Sequence, residues 1–243
     1  TKCRMWNYVR KNSPKDKTAS HGYLGEEVSK VLPNLHYLGV YDLAISFLNP
    51  HNFVLDHVKA KKKVCWIHTD YTHIDVNADL ESPVWRAYDH VISISEDVTK
   101  TFLQVFPSLK DKIVEIENIL SPDYVRQRSL LISSEDIQKE MPARGDCINL
   151  LTIGRFSEAK KLDEIPAICR GIVEAGVNVR WYIIGYGGSD DYIRREIERE
   201  GMQEHVFLLG KKENPYPYIR ACDWYVQPSR YEGKSVVVRE AQM

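Results

Sequence analysis

"CINLLTIGRFSEAKKLDEIPAICRGIVEAGVNVRWYIIGYGG", residues 147–188, decides the fold. It opens on a short apolar run, CINLLTIG, and crosses a polar turn. It then enters LDEIPAICRGIVEAG with helical spacing and ends in a second apolar run, VRWYIIG, closed by glycines. Strands buried on both faces read as near-continuous apolar runs, and a parallel pair needs a crossover between its members. Strand, helix, strand in this order therefore predicts a βαβ unit.

The rhythm continues forward. DDYIRREIEREG reads as a helix, HVFLLG as a strand, YPYIRAC as a helix and DWYVQPS as a strand. It also runs backward to Asp42. DLAISF, KVCWIH, HVISIS and KIVEI read as strands, while HNFVLDHVKAK (51–61) and EDVTKTFLQVF (96–106) have helical spacing. Glu96 and Asp97 open the latter and suit the positive end of a helix dipole. KNSPKDKTAS (11–20) reads as a loop. Between the two series, QRSLLISSEDIQKEMPARGD (127–146) mixes charge, Ser, Pro and Gly. We expect an N-terminal Rossmann-like domain over 1–130, a linker over 131–146 and a C-terminal Rossmann-like domain over 147–243. The chain opens without Met and closes inside an expected helix, so both domains are expected to be incomplete pieces of a longer protein.

Composition narrows the function. Lys+Arg 33 against Asp+Glu 34 leaves a net charge of −1, so no basic field favours nucleic acid. The five cysteines, Cys3, Cys65, Cys147, Cys169 and Cys222, form no CxxC pair, and their odd number closes no disulfide set. A reducing cytoplasm fits that usage. No apolar run approaches the ~18 residues of a membrane span.

Ligands of parallel sheets bind where strands end and loops converge. Four such places carry candidate residues. In TIGRFSEAKK (152–161), Gly154 exposes backbone, and Arg155 and Lys160 could flank a diphosphate; a solvated basic loop is the alternative. IIGYGGSDD (183–191) has a glycine cluster that is not GxGxxG and reads more simply as a turn. LLGKKEN (208–214) is another strand ending in Gly, followed by Lys211. In RYEGKSVVVREAQM (230–243), Gly233 frees the backbone and a helix is expected to start near Ser235, its first N–H groups facing an anion. Glu232 before it and Glu240 within it could accept hydrogen bonds from sugar and ribose hydroxyls; two surface glutamates are the alternative. Val236, Val237 and Val238 favour strand and oppose that helix.

Taken together, these segments resemble glycosyltransferase family 4, the group 1 glycosyltransferases. IGRFSEAKKLDEI is similar to the family's G-R-L-x-x-x-K segment, and YIIGYGG to its Gly-x-Gly turn. VFLLG followed by YIRACDWYVQPSRYEGKSVVVREAQM resembles its A-x-D, P-S, E-G and E-x7-E signature, with Glu232 and Glu240 in the paired positions. YDLAISF, KKVCWIHTDY, HVISISEDV and KIVEIENILSPDYV resemble strand ends of its first domain, and WIHTDY is similar to bacterial capsule and surface polysaccharide enzymes. Lys161 stands where the family often has Gly, and Lys234 and Ser235 depart from its E-G-F-G.

The resemblance implies a GT-B fold, two Rossmann-like domains with parallel sheets facing a cleft. It implies retaining transfer of a sugar from a nucleotide-sugar donor, UDP or GDP type, to a glycan or polyprenyl-linked acceptor in polysaccharide biosynthesis. No cofactor and no metal are implied. Arg155 and Lys160 would grip the diphosphate, and Glu232 the donor sugar. Gly154, Gly233, Lys234 and Ser235 would line the donor site, Glu240 would hold the ribose, Lys211 would lie near the base, and His68 would face sugar and acceptor. Two other readings stand beside this one. A non-catalytic nucleotide-sugar-binding subunit would bind donor without turnover. A nucleotide-cofactor oxidoreductase would need a GxGxxG that the sequence lacks.

HTDYTHID (68–75) matches no helical HExxH, so a loop beside one site histidine is a better reading than a metal centre. Tyr216 and Tyr218 read as helix-entry packing, Ser95 and Ser229 lack a nucleophile-elbow context, and KAKKK (59–63) reads as a solvated helix end. With the basic N-terminus, KAKKK also raises peripheral contact with the anionic inner membrane face.

Overall fold

In the computed structural model, residues 27–74, 76–143 and 145–243 are described. The loop expected over 11–20, the basic N-terminus, Cys3 and Asp75 lie outside them. The chain divides into two compact units, Thr1–Asn118 and Ile119–Met243.

In the first unit, strands β1 (Val40–Ser46), β2 (Lys59–Ile67), β3 (His90–Ser93) and β4 (Ile113–Glu115) form one parallel sheet in the order β1-β2-β3-β4. Helices α1 (Asn52–His57), α2 (Ala78–Ala87) and α3 (Glu96–Val105) make the crossovers. Asn77 caps α2 by accepting from Leu80 N at 3.1 Å, and Ser95 caps α3 by accepting from Val98 N at 3.3 Å. Trp85, Tyr88, Phe102 and Phe106 from these helices and their ends bury against Val91 and Ile94.

One segment departs from the sequence reading. The helix expected over 51–61 stops at His57, and KAKKK is strand, not helix end. Paired against β1, Lys59, Lys61 and Lys62 are exposed and Lys63 is half-buried. Lys61 reaches Asp42 at 2.6 Å and Lys62 reaches Asp89 at 3.0 Å. A partner across the strand pair, Asp42, and one just ahead of β3, Asp89, give these lysines a reason to be extended that helical spacing does not reveal.

In the second unit, β5 (Ile148–Ile153), β6 (Val179–Ile184), β7 (Val206–Gly210) and β8 (Trp224–Tyr225) form a parallel sheet in the order β7-β6-β5-β8. Its helices are α4 (Pro122–Ser129), α5 (Ser134–Glu140), α6 (Ile165–Glu174), α7 (Asp190–Arg199), α8 (Tyr216–Ala221) and α9 (Val236–Ala241). The stretch read as a linker, 131–146, lies inside this unit. Ser133 caps α5, and Ile137 and Met141 are buried beside Leu151, Tyr182 and Tyr218. One apolar stripe of a short helix is enough to dock it, and its polar face hid that from composition. The division accordingly falls at Asn118, ahead of both α4 and α5.

The order places β5 beside both β6 and β8, so the chain reverses its direction of sheet growth between β5 and β8. The loops that leave β5 and β8 therefore flank the point where the strand order reverses, the position at which ligands bind in such sheets. A buried polar relay fixes this junction. Trp181 Nε1 donates to Thr152 Oγ1 at 2.9 Å, and Thr152 Oγ1 donates to Val226 O at 2.7 Å. Thr152 is fully buried, so breaking the relay would strand a polar group.

Candidate active site

The loop after β5 carries Gly154, Arg155 and two linked 3₁₀ turns, Glu158–Lys160 and Leu162–Glu164. Lys160 Nζ meets Glu232 Oε1 at 2.5 Å, both side chains about one-quarter exposed. These residues are 72 apart in sequence, and the β5/β8 junction brings them together. Glu232 is further held by Ser229 Oγ at 2.6 Å and Gln227 Nε2 at 3.3 Å. Gln227 Nε2 also donates to Ser229 Oγ at 2.6 Å, and Tyr225 OH donates to Gln227 Oε1 at 2.6 Å. Burial pushes the Tyr225 phenol up, so it stays a donor. The carboxylate is thus aimed by a chain of neutral donors that begins on β8.

Tyr225, Gln227 and Ser229 were not singled out as site residues from sequence. They recur at every second position of YVQPS, the spacing of one face of extended chain, and that was the signal available. Ser229 serves Glu232 as a hydrogen-bond donor.

A cavity of about 420 Å³ lies at the ends of β5, β6 and β7, lined by Gly154, Arg155, Gly185, Tyr186, Lys211 and Lys212 among others. Arg155 and Lys211 are exposed. Lys211 Nζ stands 5.4 Å from the Tyr186 ring centroid, and Lys212 is neutralised by Glu140 at 2.5 Å. Arg155, Lys211 and the Tyr186 ring share the cavity lining.

Gly154 is not sterically obligatory. A Cβ there would meet the Lys160 stem at 3.6 Å, ordinary contact. Gly185 and Gly187, read from sequence as a plain turn, are the constrained pair. A Cβ on Gly185 would fall 1.8 Å from Gly154 O, and one on Gly187 would fall 2.3 Å from Phe156 O. They let the β6 loop close against the β5 loop, with Phe156 N donating to Tyr186 O at 2.9 Å.

Lys161 has φ 55° and ψ 31°, the left-handed region. That is the physical reason a glycine suits this position, since a side chain there costs about 1 kcal/mol. Lys161→Gly is expected to raise the stability of the second unit by up to about 1 kcal/mol, read as a shift in urea midpoint. A fall instead would show that the Lys161–Glu164 pair, 2.8 Å, outweighs the strain.

Ser235 caps α9 and accepts from Val238 N at 3.5 Å, so the helix starts where expected despite its three valines. Gly233, Lys234 and Ser235 are half-buried in the loop between Glu232 and α9. Glu240 is engaged apart from that cluster, accepting from Tyr216 OH at 2.8 Å. Burial and Glu240 push the Tyr216 phenol up to about 12.

His68 belongs to the other unit and follows β2. Its Nε2 lies 3.0 Å from Phe47 O and its ring 4.4 Å from the Phe47 ring. Burial lowers its pKa, so it is neutral at pH 7. In the same loop Asp70 bonds Thr72 N at 2.8 Å and Thr72 Oγ1 at 2.6 Å, the work of a turn residue. Among the described residues no helix is long and apolar enough to cross a membrane.

Residues 133–243 match the family model described as glycosyl transferases group 1. An uncharacterized glycosyltransferase of Methanocaldococcus jannaschii is 26% identical over 158 residues, 65% of this chain and 38% of that protein. A Campylobacter jejuni N-acetylgalactosaminyltransferase, named for acting on N-acetylgalactosamine-N,N'-diacetylbacillosaminyl-diphospho-undecaprenol, is 26% identical over 166 residues, 68% of this chain and 42% of that one. The chain thus spans about two fifths of the length of these relatives. Among solved structures, Anabaena HepE in complex with UDP superposes with TM-score 0.62 at 19% identity, over 90% of this chain and 60% of that one. The likeness carries the fold, which is of the GT-B type: α/β units with parallel sheets, here in part.

Proposed function

We propose that this chain holds the donor site of a retaining glycosyltransferase. It moves a sugar from a UDP- or GDP-linked donor to a glycan or polyprenyl-linked acceptor in surface polysaccharide synthesis. The observation that carries the reading is the Lys160–Glu232 pair, 2.5 Å long at the β5/β8 junction, on the same loop as Arg155, which lines the cavity. A diphosphate entering here draws Lys160 and Arg155 onto its oxygens. Their charge stabilises the leaving nucleoside diphosphate, which is electrostatic catalysis and assigns no role to a metal. Glu232, released from Lys160 yet still oriented by Ser229 and Gln227, takes the donor sugar's hydroxyls. Glu240 takes the ribose diol, Gly233–Ser235 line the sugar, and Lys211 and Tyr186 flank the base. His68, in the first unit, is assigned to the sugar and acceptor by the family resemblance alone.

The family match over 133–243 and the UDP bound by the Anabaena neighbour support the donor class. The Campylobacter relative supports a lipid-linked acceptor. The test is a transfer assay on the full-length protein with UDP- and GDP-sugars and a polyprenyl diphosphate-linked saccharide. Acceptor-dependent release of nucleoside diphosphate, with the donor's anomeric configuration kept in the product, is expected. An inverted product would remove the retaining mechanism, and donor binding without release would leave a binding subunit.

A further inference from the structure

Two residues before Glu232, Arg230 crosses to the loop that carries Lys160. Its backbone N donates to Ala159 O at 2.8 Å and its Nη1 to Glu158 O at 2.6 Å. Nη1 and Nη2 reach the two oxygens of Asp163, each at 3.3 Å, and Nη2 reaches Glu164 Oε1 at 3.2 Å. One side chain therefore spans both 3₁₀ turns across the left-handed Lys161 that joins them.

Ahead of these turns Phe156 is buried and bonded to Tyr186 O, and within them Lys160 pairs with Glu232 and Lys161 with Glu164. The first turn's own backbone bonds are 3.0 Å from Lys160 N to Ser157 O and 3.2 Å from Lys161 N to Glu158 O, and 3₁₀ geometry is weak. Leu162 anchors the second turn in the core, being 1% exposed, but the 158–161 half holds no buried apolar residue. Arg230 supplies what is missing. Its planar fork fits a carboxylate at two points, and a network of this kind is worth more than an isolated surface pair.

We propose that Arg230 is a positioning residue for the donor site. It fixes the Lys160-bearing turn against the loop that bears Glu232, and so sets the pair that receives the diphosphate. This rests on the donor-site reading above. Arg230 itself faces Asp163 and Glu164 and does its work through Lys160. A lysine keeps the charge but not the fork, so charge and geometry are separable by substitution.

The test uses the full chain as wild type, Arg230→Gln and Arg230→Lys, each checked for an intact thermal transition. The probes are UDP, GDP and ADP by calorimetry, and hydrogen exchange of the amides at 158–161, with those of α7 as reference. Arg230→Gln is expected to weaken the bound nucleotide about tenfold and to speed exchange at 158–161 by a similar factor. Arg230→Lys is expected to recover less than half of the lost affinity on a logarithmic scale. Full recovery by lysine would reduce Arg230 to a point charge and overturn the proposal, as would unchanged exchange in Arg230→Gln. If wild type binds none of the three nucleotides, the donor reading fails. The exchange data then decide alone: faster exchange keeps Arg230 as the brace of this turn, and unchanged exchange removes it.

Discussion

Lys160→Ala is expected to weaken nucleoside diphosphate binding by about 30- to 1000-fold with the fold kept. Two or three charge-assisted hydrogen bonds to a diphosphate are lost, each worth roughly 1.5–3 kcal/mol, and part of that returns through water. The turn should survive, because Arg230 and the buried Leu162 hold it independently of the lysine. Glu232 keeps its bonds from Ser229 and Gln227. Glu232→Gln makes the complementary case. It removes the partner that competes with the diphosphate for Lys160, so nucleoside diphosphate affinity should hold or rise by up to about tenfold. Sugar transfer should fall, since the sugar's hydroxyls lose a charged acceptor. If both variants weakened the diphosphate equally, the pair would be a structural bridge rather than a preformed receptor.

The second large effect is on stability. Gly185→Ala is expected to destabilise the second unit by about 3 kcal/mol or more. Its Cβ would lie 1.8 Å from Gly154 O, and its φ of +155° strains any side chain. Backbone cannot yield here, because Gly154 N donates to Ile184 O at 3.0 Å and Gly185 N to Gly210 O at 2.9 Å, locking three strand ends together. Gly188→Ala, with nothing within 4 Å of its Cβ, is the internal control and should fall within about 0.5 kcal/mol of wild type. Urea unfolding followed by circular dichroism and tryptophan emission reads the difference. Equal midpoints for the two variants would mean that the β5 and β6 loops do not need to touch.

The parallel sheets were legible because buried strands leave apolar runs that need no partner to be recognised, as INLLTI and VRWYII do. The start of β2 was not, because Lys59, Lys61 and Lys62 are held by a neighbouring strand and its charges rather than by local pattern. Nor was α5, whose one buried residue, Ile137, is outnumbered by its polar ones. The site followed the same division. Lys160 and Glu232 were each readable as a charge at a strand end, but their meeting is a product of strand order. Arg230 speaks only through what it touches, and Tyr225 and Gln227 show in the sequence no more than the alternation of extended chain. Gly185 was visible as a glycine but not as the point where a carbonyl passes.

The most direct measurement is calorimetric titration of the chain with UDP, GDP, ADP and NAD, repeated on the full-length protein. Saturable binding of one nucleoside diphosphate, lost in Lys160→Ala, is the predicted result and names the base of the donor. Binding of NAD in preference to every nucleoside diphosphate, or no binding of any of the four by the full-length protein, would contradict the account.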